Sequence, residues 1–200
     1  MRICLDPGHG GTDPGAIGRE PFELQEKEVN LALSGHLESE IGSHGWETIL
    51  TRRQDRTLAP DARAAFANRY GADLFVSLHA NAAATAEAEG MEVFYFPGSR
   101  EGRSLAFHIL DRLLYHFPDH RNRGIKTANF AVLRRTEMPA VLVEHEFLTH
   151  AAQLEFLAEA CNRELLARAV FEGIVASVEG PYQTTVPKLA LSPPGRDPGA

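Results

Sequence analysis

Three residues able to bind a metal or transfer a proton each follow the end of a strand-like segment. His9 comes shortly after the first apolar segment, His79 directly follows the run LFVSL, and Glu144 directly follows the run AVLV. Because ligands of open α/β sheets bind beyond the carboxyl ends of the strands, we expect these side chains to share one cleft. The alternative for each histidine is a hydrogen-bonded structural residue at a strand end.

A fourth candidate, Glu26, opens a helical segment after a glycine-rich loop. The helix dipole stabilises a carboxylate in the first turn, so a solvated helix-terminal charge is the alternative for this residue. Two imidazoles and one carboxylate are a zinc ligand set of hydrolytic enzymes, in which the fourth position is left for water. Such a site lowers the pKa of the water towards about 7, and a further carboxylate outside the ligand set can transfer the water's proton.

Several segments together resemble one protein family in the order of its motifs. The longer matches are LDPGHGG (5–11), DPGA (13–16), ADLFVSLHANA (72–82) and PAVLVE (139–144) with Phe147. The shorter matches are EKxxNL (26–31), LTRxxD (50–55) and RxxxAN (63–68). Over residues 2–178 the chain resembles the zinc-dependent N-acetylmuramoyl-L-alanine amidases, the Amidase_3 family.

The resemblance implies a role for each candidate residue. It implies that His9, Glu26 and His79 bind one Zn²⁺ and that Glu144 is the catalytic carboxylate. The implied reaction is hydrolysis of the amide between the lactyl group of N-acetylmuramic acid and L-alanine of the stem peptide, in peptidoglycan or a muropeptide. The alternative is a catalytically inactive peptidoglycan-binding module of the same fold, but a decayed enzyme is expected to lose some of the four residues.

Other polar residues are candidates for substrate contacts or for structural roles. Asn81, His145 and Arg123 are candidates for substrate contacts, and Arg123 lies in a basic stretch (121–126) suited to a muropeptide carboxylate. The alternatives are that Asn81 orients His79, that His145 is a structural residue at a strand end, and that the basic stretch is a solvated loop. Two positions depart from the family pattern, namely Glu146 and His150. Such changes can alter the charge of a cleft or its substrate preference, and the sequence does not decide their effect. Structural roles are expected for Arg52 with Asp55, as an ion pair or a turn, and for Arg63 and Asn68, in helix packing.

The pattern of apolar residues predicts the elements that position these side chains. A helix is expected over 26–43, where Val29, Leu33, Leu37 and Ile41 recur every four positions and form one stripe. Further helices are expected at 61–70, 104–117 and 152–178, the last with a break near Asn162. Strands are expected at 2–5, 46–51, 73–78, 91–96, 130–134 and 140–143. This alternation predicts an α/β fold: a single domain whose mostly parallel sheet of about six strands has helices on both faces.

Composition limits the organisation and the partners of the protein. The 200 residues carry a formal charge of −7, which argues against sequence-independent nucleic-acid binding, and no apolar stretch is long enough to span a membrane. We expect a monomeric catalytic domain at 1–179, a flexible Pro/Gly-rich tail at 180–200, and no disulfide between Cys4 and Cys161, both expected to be buried. The family acts on the cell wall, yet no signal peptide is visible. The expectation is therefore a cytoplasmic protein until release, or a trimmed domain.

Overall fold

The computed structural model describes residues 1–180, which contain eight strands and six helices. The predicted tail therefore lies, from residue 181 onward, outside the described residues. The strands are β1 (Arg2–Pro7), β2 (Ile17–Gly18), β3 (Leu24–Gln25), β4 (Glu47–Leu50), β5 (Leu74–Asn81), β6 (Met91–Tyr95), β7 (Asn122–Thr127) and β8 (Ala140–Phe147). The helices are α1 (Glu26–Ser43), α2 (Pro60–Arg69), α3 (Arg100–His116), α4 (Ala131–Arg134), α5 (Ala151–Ala158) and α6 (Ala160–Glu179).

Six of the strands form one sheet in the order β4-β1-β5-β8-β6-β7. Neighbouring strands are parallel except β6 and β8, which pair in antiparallel fashion. The short strands β2 and β3 form a separate antiparallel pair just before α1. The prediction of a mostly parallel, six-stranded α/β sheet is therefore confirmed.

The two faces of the sheet bury different sets of residues, because successive side chains of a strand point to opposite sides. In β5, Leu74, Val76 and Leu78 face the larger core, which α1, α3 and α6 cover. Phe75 faces the smaller core, which residues of α2 and α4 help to form. The apolar strands are buried on both sides, as expected of parallel strands between helices.

In the six-stranded sheet one predicted strand is wrong and one strand was missed, and the short pair β2 and β3 was not predicted either. The run beginning at Phe130 was expected to be a strand but forms the short helix α4, since a short apolar run fits either structure. The sixth strand is instead β7, at the edge of the sheet. Its sequence NRGIKT lacks an apolar run, because an edge strand with partly exposed side chains needs little apolar surface.

The two cysteines differ in exposure. Cys4 is buried in the smaller core, as expected, but Cys161 is exposed near the start of α6, so its predicted burial is wrong. Both are free thiols. Among the helices within residues 1–180, none is both long and apolar enough to cross a bilayer.

Candidate active site

The side chains of His9, Glu26 and His79 converge, and one ligand atom from each lies within 4.8 Å of the others. Glu26 Oε2 is 3.2 Å from His9 Nε2, and Glu26 Oε1 is 2.8 Å from His79 Nδ1. His9 comes from the loop after β1, Glu26 from the first position of α1, and His79 from the end of β5. Two imidazole nitrogens and one carboxylate form a donor set that suits Zn²⁺.

Two buried arginines hold the backbone of the loop that carries His9. Arg63 donates hydrogen bonds to the carbonyl oxygens of Pro7 at 2.8 Å and His9 at 2.7 Å, while Arg52 donates to Gly8 O at 2.9 Å. His9 adopts a φ of 60°, which is unfavourable for a residue with a side chain and persists only where surrounding contacts enforce it. The arginines therefore stabilise the loop geometry that presents His9.

These contacts correct two structural expectations. Arg52 does not pair with Asp55; it donates to backbone carbonyls, and Asp55 instead accepts from Lys27 Nζ at 2.8 Å and from the Gly11 amide at 2.6 Å. Arg63 does more than pack its helix, because it reaches the loop that carries His9. The sequence-based interpretation missed this role. The arginines bind backbone carbonyl oxygens, which every residue carries, so the sequence does not mark these acceptors.

Asp6 is the buried counter-ion of Arg63. Its carboxylate accepts from Arg63 Nη1 at 2.9 Å, from Thr51 Oγ1 at 2.6 Å and from Ser77 Oγ at 2.7 Å. Asp6 and Ser77 are register partners on β1 and β5, so the cluster links the two strands that precede His9 and His79. A charged pair this deeply buried depends on all of its partners.

Further hydrogen bonds orient the three candidate ligands. Asp13 Oδ2 lies 2.8 Å from His9 Nδ1, which leaves Nε2 of that ring directed at Glu26. The Glu26 carboxylate accepts from the backbone amides of Ala16 at 2.8 Å and Ala80 at 3.1 Å. A carboxylate on the far nitrogen of a ligating histidine is a recurrent feature of zinc sites. The sequence-based interpretation had not assigned this role to Asp13.

The charges within the cluster are coupled. Burial by itself raises the pKa of Glu26, but hydrogen bonds from His79 and His9 more than offset it and lower the pKa well below the usual range. Burial lowers the pKa of His9, but its hydrogen bonds with Glu26 and Asp13 raise it overall. Glu26 is therefore ionised at neutral pH, and a cation that binds here competes with protons for the imidazoles.

Glu144 lies beside this cluster on the neighbouring strand. It is the register partner of His79, and register partners project to the same face of the sheet. Burial, followed by the nearby charges of Glu26 and Glu92, raises the pKa of Glu144 well above its usual range. Its Oε2 is buried and has no hydrogen-bond partner within residues 1–180, an arrangement that is costly unless a bound group completes it.

Two of the candidate metal ligands, His9 and His79, meet Glu144 at one cavity of about 340 Å³, and Glu26 contacts both histidines. His9, His79 and Glu144 line its polar side. The apolar part of the lining is formed by residues before and within α2, around α4 and on β8: Leu58, Pro60, Phe130, Val132 and Leu142. The cavity thus combines a few polar side chains with an apolar wall, as is usual in small-molecule sites.

The predicted substrate contacts divide into two groups. Asn81 and Arg123 both donate to Glu92, at 2.7 Å to Oε1 and 3.0 Å to Oε2 respectively, on the cavity-facing side of the sheet. His145 is fully buried, and its Nδ1 lies 2.9 Å from His79 O. Burial lowers the pKa of His145 to about 4, so a neutral ring donates this hydrogen bond. With no exposed surface and a hydrogen bond to the His79 backbone, His145 fits its alternative role as a structural residue at a strand end.

A β-bulge explains why Glu146 adds no charge to the cleft. The pairing of His79 with Glu144 is followed by the pairing of Asn81 with Phe147, so β8 contains one extra residue. Glu146 is fully buried; it accepts from the Gly90 amide at 2.6 Å and lies 2.8 Å from His120 Nδ1. Glu146 therefore contributes no charge to the cleft. His150 directly precedes α5, with Nε2 3.9 Å from Glu89 Oε2.

Comparison with known proteins identifies similar sequences. A family model described as N-acetylmuramoyl-L-alanine amidase matches residues 3–176. The N-acetylmuramoyl-L-alanine amidase LytC of Bacillus subtilis is 36% identical over 176 residues, which cover 87% of this chain and 35% of LytC. The N-acetylmuramoyl-L-alanine amidase AmiA of Escherichia coli is 30% identical over 220 residues, which cover 87% of this chain and 75% of AmiA. The chain thus corresponds to part of each relative.

Solved structures share the fold over nearly the whole described chain. The amidase AmiC2 of Nostoc punctiforme superposes with a TM-score of 0.84 at 32% identity, covering 90% of this chain and 97% of AmiC2. An N-acetylmuramoyl-L-alanine amidase from Clostridium difficile 630 gives a TM-score of 0.86 at 28% identity, with the same coverage of 90% and 97%. The six-stranded architecture is therefore shared with these proteins.

Proposed function

We propose a function from one premise: this chain belongs to the N-acetylmuramoyl-L-alanine amidase family. The proposed reaction is hydrolysis of the amide between the lactyl group of N-acetylmuramic acid and the L-alanine of a peptidoglycan stem peptide. One observation carries the proposal: His9, Glu26 and His79 form a potential metal group, and its two histidines line the same cavity as Glu144. The relatives named as amidases support it.

The residues present fit a zinc ion. Two imidazole nitrogens and a carboxylate oxygen are donors that hydrolytic zinc sites use, and the unpartnered Oε2 of Glu144 lies beside them without belonging to the group. His9, Glu26 and His79 would hold the ion, which would supply the positive charge that polarises the scissile carbonyl and makes the attacking water more acidic.

Glu144 is the proposed general base and general acid. Its carboxylate accepts a proton from the attacking water as the water oxygen bonds to the carbonyl carbon. When the carbon–nitrogen bond breaks, Glu144 returns the same proton to the alanine nitrogen, so the products are a muramic carboxylic acid and a peptide with a free amine. Burial of Glu144 and its negative neighbours favour the protonated form that this second step requires.

The unpartnered Glu144 carboxylate favours a catalytic role over binding alone. An inactive peptidoglycan-binding domain of the same fold would have no use for an unpartnered buried carboxylate next to a potential metal group. The proposed substrate places the site of action at the cell wall, in keeping with relatives such as the probable cell wall amidase LytH of Staphylococcus epidermidis. A monomeric state, the absence of nucleic-acid partners and the absence of membrane insertion remain predictions.

The test combines metal analysis with a defined substrate. The purified protein is loaded with zinc and incubated with a muramoyl-peptide, and the products are identified by mass spectrometry. We expect about one zinc per chain and release of a peptide that begins with L-alanine. A folded, zinc-loaded protein that binds purified wall but releases no such peptide would overturn the proposed activity and favour the binding module.

A further inference from the structure

We propose that Lys126 and Arg123, anchored on Glu92, form a subsite for a carboxylate of the substrate's peptide. The proposal rests on the proposed amidase function and adds to it the position at which the peptide's charge is recognised. Neither the metal group nor Glu144 supplies a positively charged side chain for this purpose. Both cations lie on β7, the edge strand that the sequence analysis did not predict.

The position of Glu92 places this cluster next to the proposed base. Glu92 on β6 and Glu144 on β8 are direct partners in the antiparallel pair, so their side chains project to the same face. Opposed residues of such a pair have Cβ atoms about 4.5–5.5 Å apart. His79, Glu144 and Glu92 thus form a row across three adjacent strands, and the cations lie at the end of the row away from the metal group.

Among the groups hydrogen-bonded to Glu92, positive charge exceeds negative charge, and Glu144 is the next carboxylate along the row. The buried Glu92 carboxylate accepts from Arg123 Nε at 3.0 Å, from Lys126 Nζ, and from the neutral Asn81 amide at 2.7 Å. Two cations therefore share one anion. The side chains of Lys126 and Arg123 are 40% and 25% exposed, whereas that of Glu92 is 5% exposed, so the excess charge is the part that solvent or a ligand reaches.

Aromatic contacts connect the two cations to the cleft. The Arg123 guanidinium lies 4.7 Å from the ring centroid of Phe147, which is fixed on β8. Lys126 Nζ lies 5.9 Å from the ring centroid of Phe94, and this ring packs at 5.4 Å on Phe130 of the cavity wall. Lys126 is therefore separated from the cavity wall by the Phe94 ring. Its ammonium carries three N–H donors, so donors remain beyond the one that Glu92 accepts.

The chemistry of the substrate identifies which part of it binds here. In a muramoyl-peptide the lactyl carboxyl group is consumed in the scissile amide, so the remaining carboxylates belong to the peptide. A cationic cluster beside the base therefore indicates that the peptide, the leaving group of the reaction, extends from Glu144 towards β7. Ammonium–carboxylate hydrogen bonds are among the stronger polar contacts in proteins.

The experiment compares two substrates that differ only in charge. The zinc-loaded protein and a Lys126→Met variant, which keeps the apolar stem, are assayed on N-acetylmuramoyl-L-alanyl-D-glutamic acid and on its diamide. We expect the KM of the wild type to be lower for the diacid than for the diamide. In Lys126→Met the ratio of the diacid KM to the diamide KM should rise about tenfold, with a much smaller change in kcat. Lys126→Arg should retain the preference.

A matched control is Arg103→Met, which removes an exposed cation of α3 that lies outside the cavity, near Ile125 on the other face of β7. This variant should leave the ratio of the two KM values as in the wild type. Equal KM values for diacid and diamide in the wild type, or an unchanged ratio in a folded Lys126→Met protein, would overturn the subsite while leaving the amidase function intact. Failure of the wild type to cleave either compound would refute the proposed function, and the subsite with it.

Discussion

Replacement of Gly15 by alanine tests whether the His9–Glu26–His79 group binds metal. Gly15 has a φ of 67°, and a Cβ added there would lie 2.5 Å from Glu26 Oε2 and 2.6 Å from His9 Cδ2. Ordinary contacts begin near 3.4 Å, so both side chains must move by about 1 Å. Zinc sites tolerate deviations of only about 0.2 Å in their ligand distances. We therefore expect zinc affinity to fall about 100-fold or more.

The assay separates this steric effect from a general loss of stability. Gly71 has a similar φ of 60°, and a Cβ there would meet only Arg2 Nη1, at 3.9 Å. Gly15→Ala and Gly71→Ala each introduce a left-handed alanine, at a cost of roughly 1–2 kcal/mol. Zinc affinity is measured by competition with a chromophoric chelator, and thermal unfolding is measured with and without zinc.

Zinc should raise the Tm of the wild type and of Gly71→Ala, because it binds the folded state, and a chelator should reverse this increase. Gly15→Ala should show little increase at the same zinc concentration. Wild-type zinc affinity in a folded Gly15→Ala protein would refute the reasoning, since it would mean that the ion binds away from the side chains that the new methyl group displaces.

Three further predictions concern the base, the buried ion pair and the thiols. Glu144→Gln should retain zinc but lower kcat by about 10²–10⁴-fold, measured on a muramoyl-peptide; full activity would contradict the proposed role of this residue. Arg63→Met should leave the Asp6 carboxylate buried without its counter-ion, at a cost of about 3–5 kcal/mol and a Tm roughly 10 °C lower; an unchanged Tm in thermal unfolding would argue against this ion pair. In the folded protein a maleimide should label the exposed Cys161 and spare Cys4, whose burial raises its thiol pKa; peptide mapping that finds equal labelling would contradict this difference.

The sequence alone determined the fold class and the candidate catalytic residues, because both depend on local patterns. Apolar runs of four or five residues predict buried strands, and in a parallel sheet the polar residues at their carboxyl ends must lie at one edge. His79 and Glu144 meet for this reason, and ordered motifs supply Glu26. The fourfold apolar spacing likewise predicted α1 with the bounds that the structure has.

Only the tertiary structure decided the contacts that depend on backbone atoms and on register. The hydrogen bonds of Arg52 and Arg63 end on carbonyl oxygens, which every residue carries, so no sequence pattern marks them. One extra residue in β8 turns Glu146 away from the cleft, although its position two residues after Glu144 suggests the same face. The edge strand β7 forms because its backbone pairs with β6, and this pairing brings Lys126 to Glu92.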